Sequence, residues 1–203
     1  IQEINMASIR NHTSTDVTKL LLVGDSGSGK TATLATLANA GYNLRILDFD
    51  DGLAILPEFL IDSAVDRVSF VTLKDPIGKA DAFRKSANLI ANWKDGDENF
   101  GPVNKWTSKD VLVIDSLTLM GEAALRGALS FNNKKPTDQA TQPEWGTAAR
   151  DVQNIVQYIT GSEVPCNVVV TTHMQYMEGD TGVSKAYPTS VGSKLSTKLG
   201  RYF

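Results

Sequence analysis

The chain has 203 residues, 41% of them hydrophobic, which is enough to bury the core of one α/β domain. Its formal net charge of -3 excludes a globally basic nucleic-acid-binding protein but is compatible with a local basic surface. No stretch approaches the roughly eighteen apolar residues of a membrane span, and the N-terminus lacks the basic-then-apolar order of a signal peptide. We therefore expect a soluble protein with no membrane partner.

The single cysteine, Cys166, stands at the head of an apolar run and cannot form an internal disulfide. We expect it to be buried as a small hydrophobic residue, which fits a reducing compartment and a cytoplasmic location. The sequence begins with Ile1 rather than Met. The residues before Met6 are either an expression remnant or the cut edge of a longer protein, and the sequence leaves both open.

Apolar runs alternate with segments of helical spacing from Lys19 onward. Residues 1–18 are polar and have no sustained period, so we expect a poorly ordered N-terminal arm followed by one domain over residues 19–203. Strand, helix and strand in succession form a parallel crossover unit, which predicts an α/β fold. The predicted strands are 20–23, 44–49, 68–73, 111–116 and 166–171.

The first of these strands runs into a glycine-rich loop and then into a helix-favouring segment. The loop Gly24-Asp25-Ser26-Gly27-Ser28-Gly29-Lys30-Thr31 matches the phosphate-binding P-loop. Its glycines let backbone N–H groups turn toward phosphate oxygens, and the helix N-terminus adds the positive end of its dipole. We expect the whole loop to bind the nucleotide, with Lys30 at the β- and γ-phosphates and Thr31 on Mg²⁺.

A guanine-binding motif would read Asn-Lys-x-Asp. Asn104-Lys105 is followed by Trp106-Thr107, and Asn133-Lys134 is followed by Lys135-Pro136. Neither pair is followed by the required aspartate, so we do not expect guanine specificity. The predicted cofactors are ATP and, at the P-loop, Mg²⁺.

An apolar strand over residues 111–114 ends in Asp115, as a Walker B strand does. Asp115 is thus the expected second ligand of Mg²⁺. The next residue is Ser116, whereas AAA+ proteins usually carry a catalytic glutamate there. The base that activates water must therefore come from elsewhere.

Three aspartates, Asp48, Asp50 and Asp51, close the strand that follows the P-loop helix. That position lies across the phosphate site from Lys30, where a carboxylate can orient an attacking water. We prefer Asp50, because Asp48 is expected to face the packing of its strand. The sequence alone does not decide among the three.

Polar residues also end the strand over 166–171, which is followed by Thr172-His173-Met174-Gln175. Ligands of open parallel sheets bind beyond the carboxyl ends of the strands, so His173 is a candidate sensor of the γ-phosphate. The alternative is a histidine whose hydrogen bonds are satisfied at a strand end. We expect residues 176–189 to form a mobile loop or a hairpin.

The C-terminal stretch 181–203 contains no acidic residue but carries Lys185, Lys194, Lys198 and Arg201. This basic segment binds anions or is a solvated helix face, and the sequence leaves both possibilities.

The order of these motifs over residues 19–203 resembles the RecA-like recombinase core, and within it the bacteriophage P-loop ATPases of the Sak-type single-strand annealing group. The resemblance is carried by the P-loop, by Leu47-Asp48-Phe49-Asp50, by Val113-Ile114-Asp115-Ser116 and by Thr172-His173. Asp50 stands where that family usually has a catalytic glutamate, and His173 where it commonly has a glutamine. The resemblance implies a RecA-like P-loop NTPase core, with a mostly parallel central sheet flanked by helices on both faces.

The same resemblance implies a function. It describes a phage-encoded, Mg²⁺-dependent ATPase that acts on single-stranded DNA in homologous recombination or strand annealing, in the cytoplasm of the bacterial host. Residues 175–191 would contact DNA, followed by the Gly-x-x-Leu segment 192–195. The implied partners are single-stranded DNA, further copies of the chain that share ATP sites, and a single-strand-binding protein.

Two other functions are compatible with a P-loop. A small-molecule or nucleotide kinase would need clustered arginines in a lid, and Arg126 and Arg150 lie far apart in the sequence. A regulatory nucleotide-binding module would instead use its ATP state to control a partner. Stimulation of ATP turnover by single-stranded DNA would distinguish the three.

Two further segments carry structural predictions. Residues 94–110 briefly imitate a calcium loop, but Phe100 replaces the turn glycine and Trp106 the bidentate glutamate, so we exclude calcium and expect a solvated loop. Thr141, Pro143 and Glu144 predict a capping box. The helix it opens should place a core-facing stripe on one side. That stripe comprises Trp145, Ala148, Ala149, Val152, Ile155, Val156 and Ile159.

Overall fold

The structure is a computed structural model and describes residues 17–178 and 182–203. The predicted N-terminal arm therefore lies, up to residue 16, outside the described residues. In the described ranges the strands are β1 (Lys19–Val23), β2 (Asn43–Asp48), β3 (Val68–Thr72), β4 (Trp93–Asp95), β5 (Glu98–Gly101), β6 (Asp110–Asp115), β7 (Asn167–Thr172), β8 (Met174–Glu178) and β9 (Ser184–Pro188). The α-helices are α1 (Lys30–Asn39), α2 (Ala82–Ala91), α3 (Leu117–Phe131), α4 (Gln142–Thr160) and α5 (Ser193–Ser196). Short 3₁₀ helices cover Leu53–Phe59, Asp62–Arg67, Val103–Lys105 and Leu199–Arg201.

Five strands form the central sheet in the order β1-β7-β6-β2-β3, and each neighbouring pair is parallel. The P-loop strand β1 is thus separated from the Walker B strand β6 by β7. All five were predicted from the sequence to within two residues. Apolar runs of this kind suit the central strands β2, β6 and β7, which are largely buried, whereas the residues of the edge strands β1 and β3 are partly buried or exposed.

Side chains that alternate along each strand feed two separate cores. Val111 and Val113 of β6 pack on the side of Leu34 in α1, together with the first two 3₁₀ helices. Leu112 and Ile114 of the same strand pack on the other side, against residues of α2, α3 and α4. The fold prediction is confirmed, since the sheet is parallel and helices cover both of its faces.

The segment predicted as a solvated loop is instead an ordered hairpin, β4 and β5, with a buried continuation. Trp93, Val103 and Trp106 are buried, and the two indole rings meet at a centroid distance of 5.8 Å. The Trp106 Nε1–H donates to the carbonyl oxygen of Phe100 at 2.9 Å. The loop prediction was wrong because the buried apolar residues of this segment are widely spaced among polar ones. Their spacing follows neither a helical nor a strand period, so the sequence pattern did not reveal them.

The capping box of α4 is present, with the Glu144 carboxylate accepting hydrogen bonds from the Thr141 backbone N–H and hydroxyl at 2.8 and 2.6 Å. The predicted stripe is buried at Ala148, Val152, Val156 and Ile159. Trp145 departs from that prediction, because 41% of it is exposed. The first turn of α4 borders two surface cavities rather than the sheet, which leaves the indole partly in solvent.

The stretch after β7 forms an antiparallel hairpin of β8 and β9, so the hairpin alternative was correct for its described part. Residues 179–181, which join the two strands, lie outside the described residues. The expected burial of Cys166 is also confirmed, and burial raises the pKa of its thiol to about 11.

Within residues 17–178 and 182–203, the structure contains no helix that combines the length and the apolar composition needed to span a membrane.

Candidate active site

The P-loop follows β1 directly and closes on the N-terminus of α1. Gly27 and Gly29 adopt φ angles of 75° and 86°, in the left-handed region that favours glycine. A Cβ on Gly24 would lie 2.6 Å from the Ser28 hydroxyl oxygen, so a side chain there would force that hydroxyl to rotate away. The turns of the loop therefore depend on Gly27 and Gly29, and its close packing on Gly24.

Lys30 is the first residue of α1 and points back across the loop. Its Nζ donates hydrogen bonds to the carbonyl oxygens of Gly24 and Asp25, at 2.9 and 2.8 Å. The charge is thus held among the backbone groups of the P-loop by acceptors that a phosphate can replace. This position fits the phosphate-binding role predicted for Lys30.

The predicted metal ligands meet beside the loop. The Thr31 hydroxyl donates to Oδ2 of Asp115 at 2.8 Å, across 84 residues of sequence. The other carboxylate oxygen of Asp115 accepts a hydrogen bond from the Thr171 hydroxyl on the neighbouring strand β7. A hydroxyl and a carboxylate side by side form the oxygen donor set that Mg²⁺ prefers, so these residues fit the predicted ion.

Asp48, Asp50 and Asp51 have different environments. Asp48 is buried and accepts hydrogen bonds from the backbone N–H groups of Asp51 and Gly52, at 2.8 and 3.4 Å. Burial raises the pKa of the Asp48 carboxyl, while these two donors oppose the shift. Asp51, with a φ of 55°, turns outward into an exposed ion pair with Lys74 at 2.6 Å. Asp48 therefore organises the turn, and Asp51 faces solvent.

Asp50 is the member of this trio that lines the P-loop cavity. Its Oδ1 accepts hydrogen bonds from the Ser116 backbone N–H and hydroxyl, at 3.1 and 2.7 Å. Ser116 stands at the sequence position of the usual AAA+ glutamate, and here it holds the carboxylate of Asp50, which lies two residues after β2. The contact between Ser116 and Asp50 was not predicted, because the two residues are 66 positions apart in the sequence.

His173 lies between the cavity and the C-terminal hairpin. Its Nε2 is 3.8 Å from Oδ2 of Asp50. Its backbone N–H donates to the Thr118 hydroxyl at 3.0 Å, and its carbonyl oxygen accepts from the Thr189 N–H at 2.7 Å. The Thr118 hydroxyl also lies 3.2 Å from the Thr189 carbonyl oxygen, which joins the start of α3 to the end of the hairpin.

A cavity of about 410 Å³ connects these groups, which is a usual size for a small-molecule site. It is lined by residues 26–32 of the P-loop together with Asp50, Asp115 and His173. Gly24 and Asp25 were also predicted to bind the nucleotide; they do not line the cavity, and their carbonyl oxygens accept hydrogen bonds from Lys30. The largely exposed side chains of Ile55 and Phe59 border the cavity as well, and the sequence predictions did not include them.

The structure does not bring the predicted basic residues to this cavity. Among the described residues that line it, the basic side chains are Lys30 and His173. Lys194 lines a different surface groove. Arg126 forms ion pairs with Asp75 and Glu122, at 3.1 and 3.6 Å, and does not border the P-loop cavity.

Comparisons with known proteins give three results. A crystal structure of the RadB recombinase superposes with a TM-score of 0.45 and 16% sequence identity, covering 89% of this chain and 70% of that chain. No curated protein matches the sequence. The family model described as "AAA domain" matches residues 17–202, which include the P-loop, the Walker B strand and His173. In the structure the Thr31 hydroxyl of the P-loop donates a hydrogen bond to Asp115 of the Walker B strand. The chain belongs to the AAA domain family of nucleotide-binding P-loop ATPases.

Proposed function

We propose that this protein is a Mg²⁺-dependent ATPase that acts on single-stranded DNA in homologous recombination or strand annealing, in the cytoplasm of a bacterial host infected by the phage that encodes it. The observation that carries the catalytic part is the convergence of Lys30, Thr31, Asp50, Asp115 and His173 on one cavity. These residues come from α1 and from the carboxyl ends of three strands or the turns after them, where ligands of parallel sheets bind.

Mg²⁺ held by Thr31 and Asp115 would neutralise charge on the β- and γ-phosphate oxygens. Lys30 exchanges its two carbonyl partners for phosphate oxygens. Asp50, fixed by Ser116, accepts a proton from the attacking water through the carboxylate oxygen that faces the cavity. His173, 3.8 Å from Asp50, donates a hydrogen bond to the γ-phosphate.

Action on single-stranded DNA is supported by the hairpin that starts one residue beyond His173. Tyr176 on β8 is largely exposed and Lys185 on β9 is also exposed. Exposed aromatic side chains stack bases, and cations neutralise phosphates. Because Thr118 and Thr189 connect the hairpin to His173, a change at the γ-phosphate has a short route to this surface.

We further propose that two copies of the chain share each ATP site, because the cavity of one copy has few positive charges among its described residues. In the described lining of the cavity, Lys30 is the one permanently charged cation, whereas phosphoryl transfer commonly uses a second cation at the γ-phosphate. We infer that a neighbouring copy of the chain supplies it, from Lys194, Lys198 or Arg201. A single-strand-binding protein is a further expected partner, because it would coat the same DNA.

The test of the function is ATP turnover by the full chain with Mg²⁺, measured with and without single-stranded DNA. We expect turnover that requires Mg²⁺ and rises when the DNA is added. Turnover that depends on a small phosphate acceptor would indicate a kinase. Nucleotide binding without turnover, with or without DNA, would indicate a regulatory module, and either result would overturn the proposal.

A further inference from the structure

Trp145 differs from the other two tryptophans of the chain in its exposure to solvent. Trp93 and Trp106 are 1% and 6% exposed, whereas Trp145 is 41% exposed. It stands on the first turn of α4 and borders a surface groove of about 500 Å³. We call this the Trp145 groove. Its opposite wall is formed by residues 191–195, which lead from the C-terminal hairpin into α5.

The charge of the Trp145 groove is positive. Lys194 lines it, and none of the described residues that line it is acidic. Gly146 and Gly192 leave open space, since a Cβ at either position would have no neighbouring atom within 4 Å. Val191 and Leu195 are buried and give the groove an apolar floor. An indole, an apolar floor and one free cation suit a flat, anionic ligand.

The indole also borders a second cavity, of about 370 Å³, and its charge is opposite. Glu122, Asp138 and Arg126 line that cavity together with Trp145. The Arg126 guanidinium is already ion-paired with Asp75 and Glu122, so two carboxylates and one engaged cation leave this side negative. An anionic ligand that reaches Trp145 therefore prefers the side of Lys194.

The Trp145 groove also lies close in sequence to the β8–β9 hairpin, which is the proposed DNA-binding surface. Strand β9 ends at Pro188, three residues before Val191 enters the groove. Val191 packs closely on α3, because a Cβ on Gly121 would lie only 3.0 Å from its backbone nitrogen. The hairpin and the groove are therefore joined by a short segment that is anchored on α3.

We propose that the Trp145 groove binds a nucleotide unit of single-stranded nucleic acid, with a base stacked on the Trp145 indole and a phosphate paired with Lys194. Lys198 or Arg201 then remains as the cation for a shared ATP site. This inference rests on the proposed action on single-stranded DNA and names the residues that hold one of its bases. Base stacking on an aromatic ring is tolerant of sequence, so the site should accept any base.

The exposed indole provides the readout. Titration of the full chain with an oligothymidylate should quench tryptophan fluorescence, and Trp145→Phe should remove that quench while DNA still binds by fluorescence anisotropy. An abasic oligonucleotide of equal length should bind through its phosphates without the quench. These two measurements separate stacking from charge neutralisation.

Affinity gives a second readout. Trp145→Ala should weaken binding of the oligothymidylate about five- to 150-fold, the effect of losing one base stack. Lys194→Ala should weaken binding for all sequences and lower the salt slope by about one. The matched control is Phe131→Ala, because Phe131 is an 84% exposed aromatic residue on α3 that does not line the groove.

Each contrary outcome points to a different failure. DNA that binds by anisotropy without altering the Trp145 signal would overturn the groove assignment and leave the proposed function standing. No binding of single-stranded DNA would overturn both. A Trp145 signal that depends on protein concentration without DNA, together with a dimer in light scattering, would assign the groove to a second copy of the chain and overturn this proposal.

Discussion

Asp50 and Asp51 are adjacent in sequence but face different surroundings. Asp50 borders the P-loop cavity and is oriented by two hydrogen bonds from Ser116, whereas Asp51 pairs with Lys74 in solvent. Such a difference in environment, rather than the chemistry of the side chain, decides which carboxylate can reach a water at the γ-phosphate.

We expect Asp50→Asn to preserve ATP binding and to lower hydrolysis about 100-fold or more, because an amide can position water but cannot accept its proton. Single-turnover hydrolysis and equilibrium ATP binding measure the two effects separately. Asp51→Asn is the matched control and should retain turnover. An active Asp50→Asn variant beside an inactive Asp48→Asn or Asp51→Asn variant would show that the carboxylate was wrongly chosen.

Asp115 has a different predicted role, since it shares hydrogen bonds with Thr31 and Thr171 beside the loop. Asp115→Ala should abolish Mg²⁺-dependent hydrolysis and weaken nucleotide binding only mildly, because Lys30 and the loop N–H groups remain. Turnover measured across a Mg²⁺ titration checks this. Hydrolysis that persists with its metal dependence intact would leave Asp115 with a structural role only.

Helix α3 is the element that joins the cavity to the hairpin. It begins two residues after Asp115, and its Thr118 hydroxyl accepts the His173 N–H and contacts the Thr189 carbonyl oxygen. One hydroxyl thus contacts both His173 at the cavity and Thr189 at the end of the hairpin, so we predict that it couples the two.

Thr118→Val should therefore retain basal ATP turnover and lose most of the stimulation by single-stranded DNA. Valine has a similar shape but leaves the His173 N–H without its side-chain acceptor. Thr118→Ser keeps the hydroxyl and should behave like the wild-type chain. Equal stimulation in the valine and serine variants would count against a link through Thr118.

The N-terminus of α4 carries the most strongly shifted carboxyl group in the described part of the chain. Hydrogen bonds from the Thr141 hydroxyl, and then from Lys134 and Asn132, hold the pKa of Glu144 well below its ordinary value of 4.5. The folded state therefore favours the ionised form. Its stabilising effect is complete above about pH 4.5 and is lost as the pH falls toward the lowered value.

We expect Glu144→Gln to lower the free energy of unfolding at neutral pH, because the amide cannot replace the charge that meets Lys134 at 2.9 Å. The difference between variant and wild type should shrink as the pH falls below 4.5. Denaturant unfolding of both proteins across this range measures it. A difference that stays constant with pH would refute the electrostatic origin.

At the scale of the whole molecule, the P-loop cavity has Lys30 as the single permanently charged cation in its described lining. The basic C-terminal segment lies elsewhere in the sequence. This arrangement predicts that copies of the chain complete one another's sites. If Lys30→Ala protein is mixed with protein carrying Lys194→Ala, Lys198→Ala and Arg201→Ala, a mixed interface would contain one intact P-loop and one intact set of cations. We expect each variant alone to lack turnover and the mixture to recover part of it in the absence of DNA.

Two results would contradict shared sites. One is that the mixture recovers no turnover and that light scattering shows the active wild-type protein to be a monomer. The other is full basal turnover by the triple variant, which would leave the basic segment to DNA or to solvent.

The amino-acid sequence by itself determined the parts of this protein that depend on short-range order. Five apolar runs predicted five strands, of which the three central ones are buried, and the glycines of the P-loop predicted a loop whose backbone must turn through positive φ. The capping box at Thr141 was predicted for the same reason, since it joins residues only three positions apart. These features are decided by neighbours along the chain.

Only the tertiary structure decided which distant residues meet. Register between parallel strands brings Thr171 to Asp115 across 56 residues and Ser116 to Asp50 across 66, and so selects one aspartate of three. The burial of Trp106 in a segment predicted as a loop, and the exposure of Trp145 on a stripe predicted as core, have the same origin. A helical or strand period states which residues share a face, but what covers that face depends on how the elements pack.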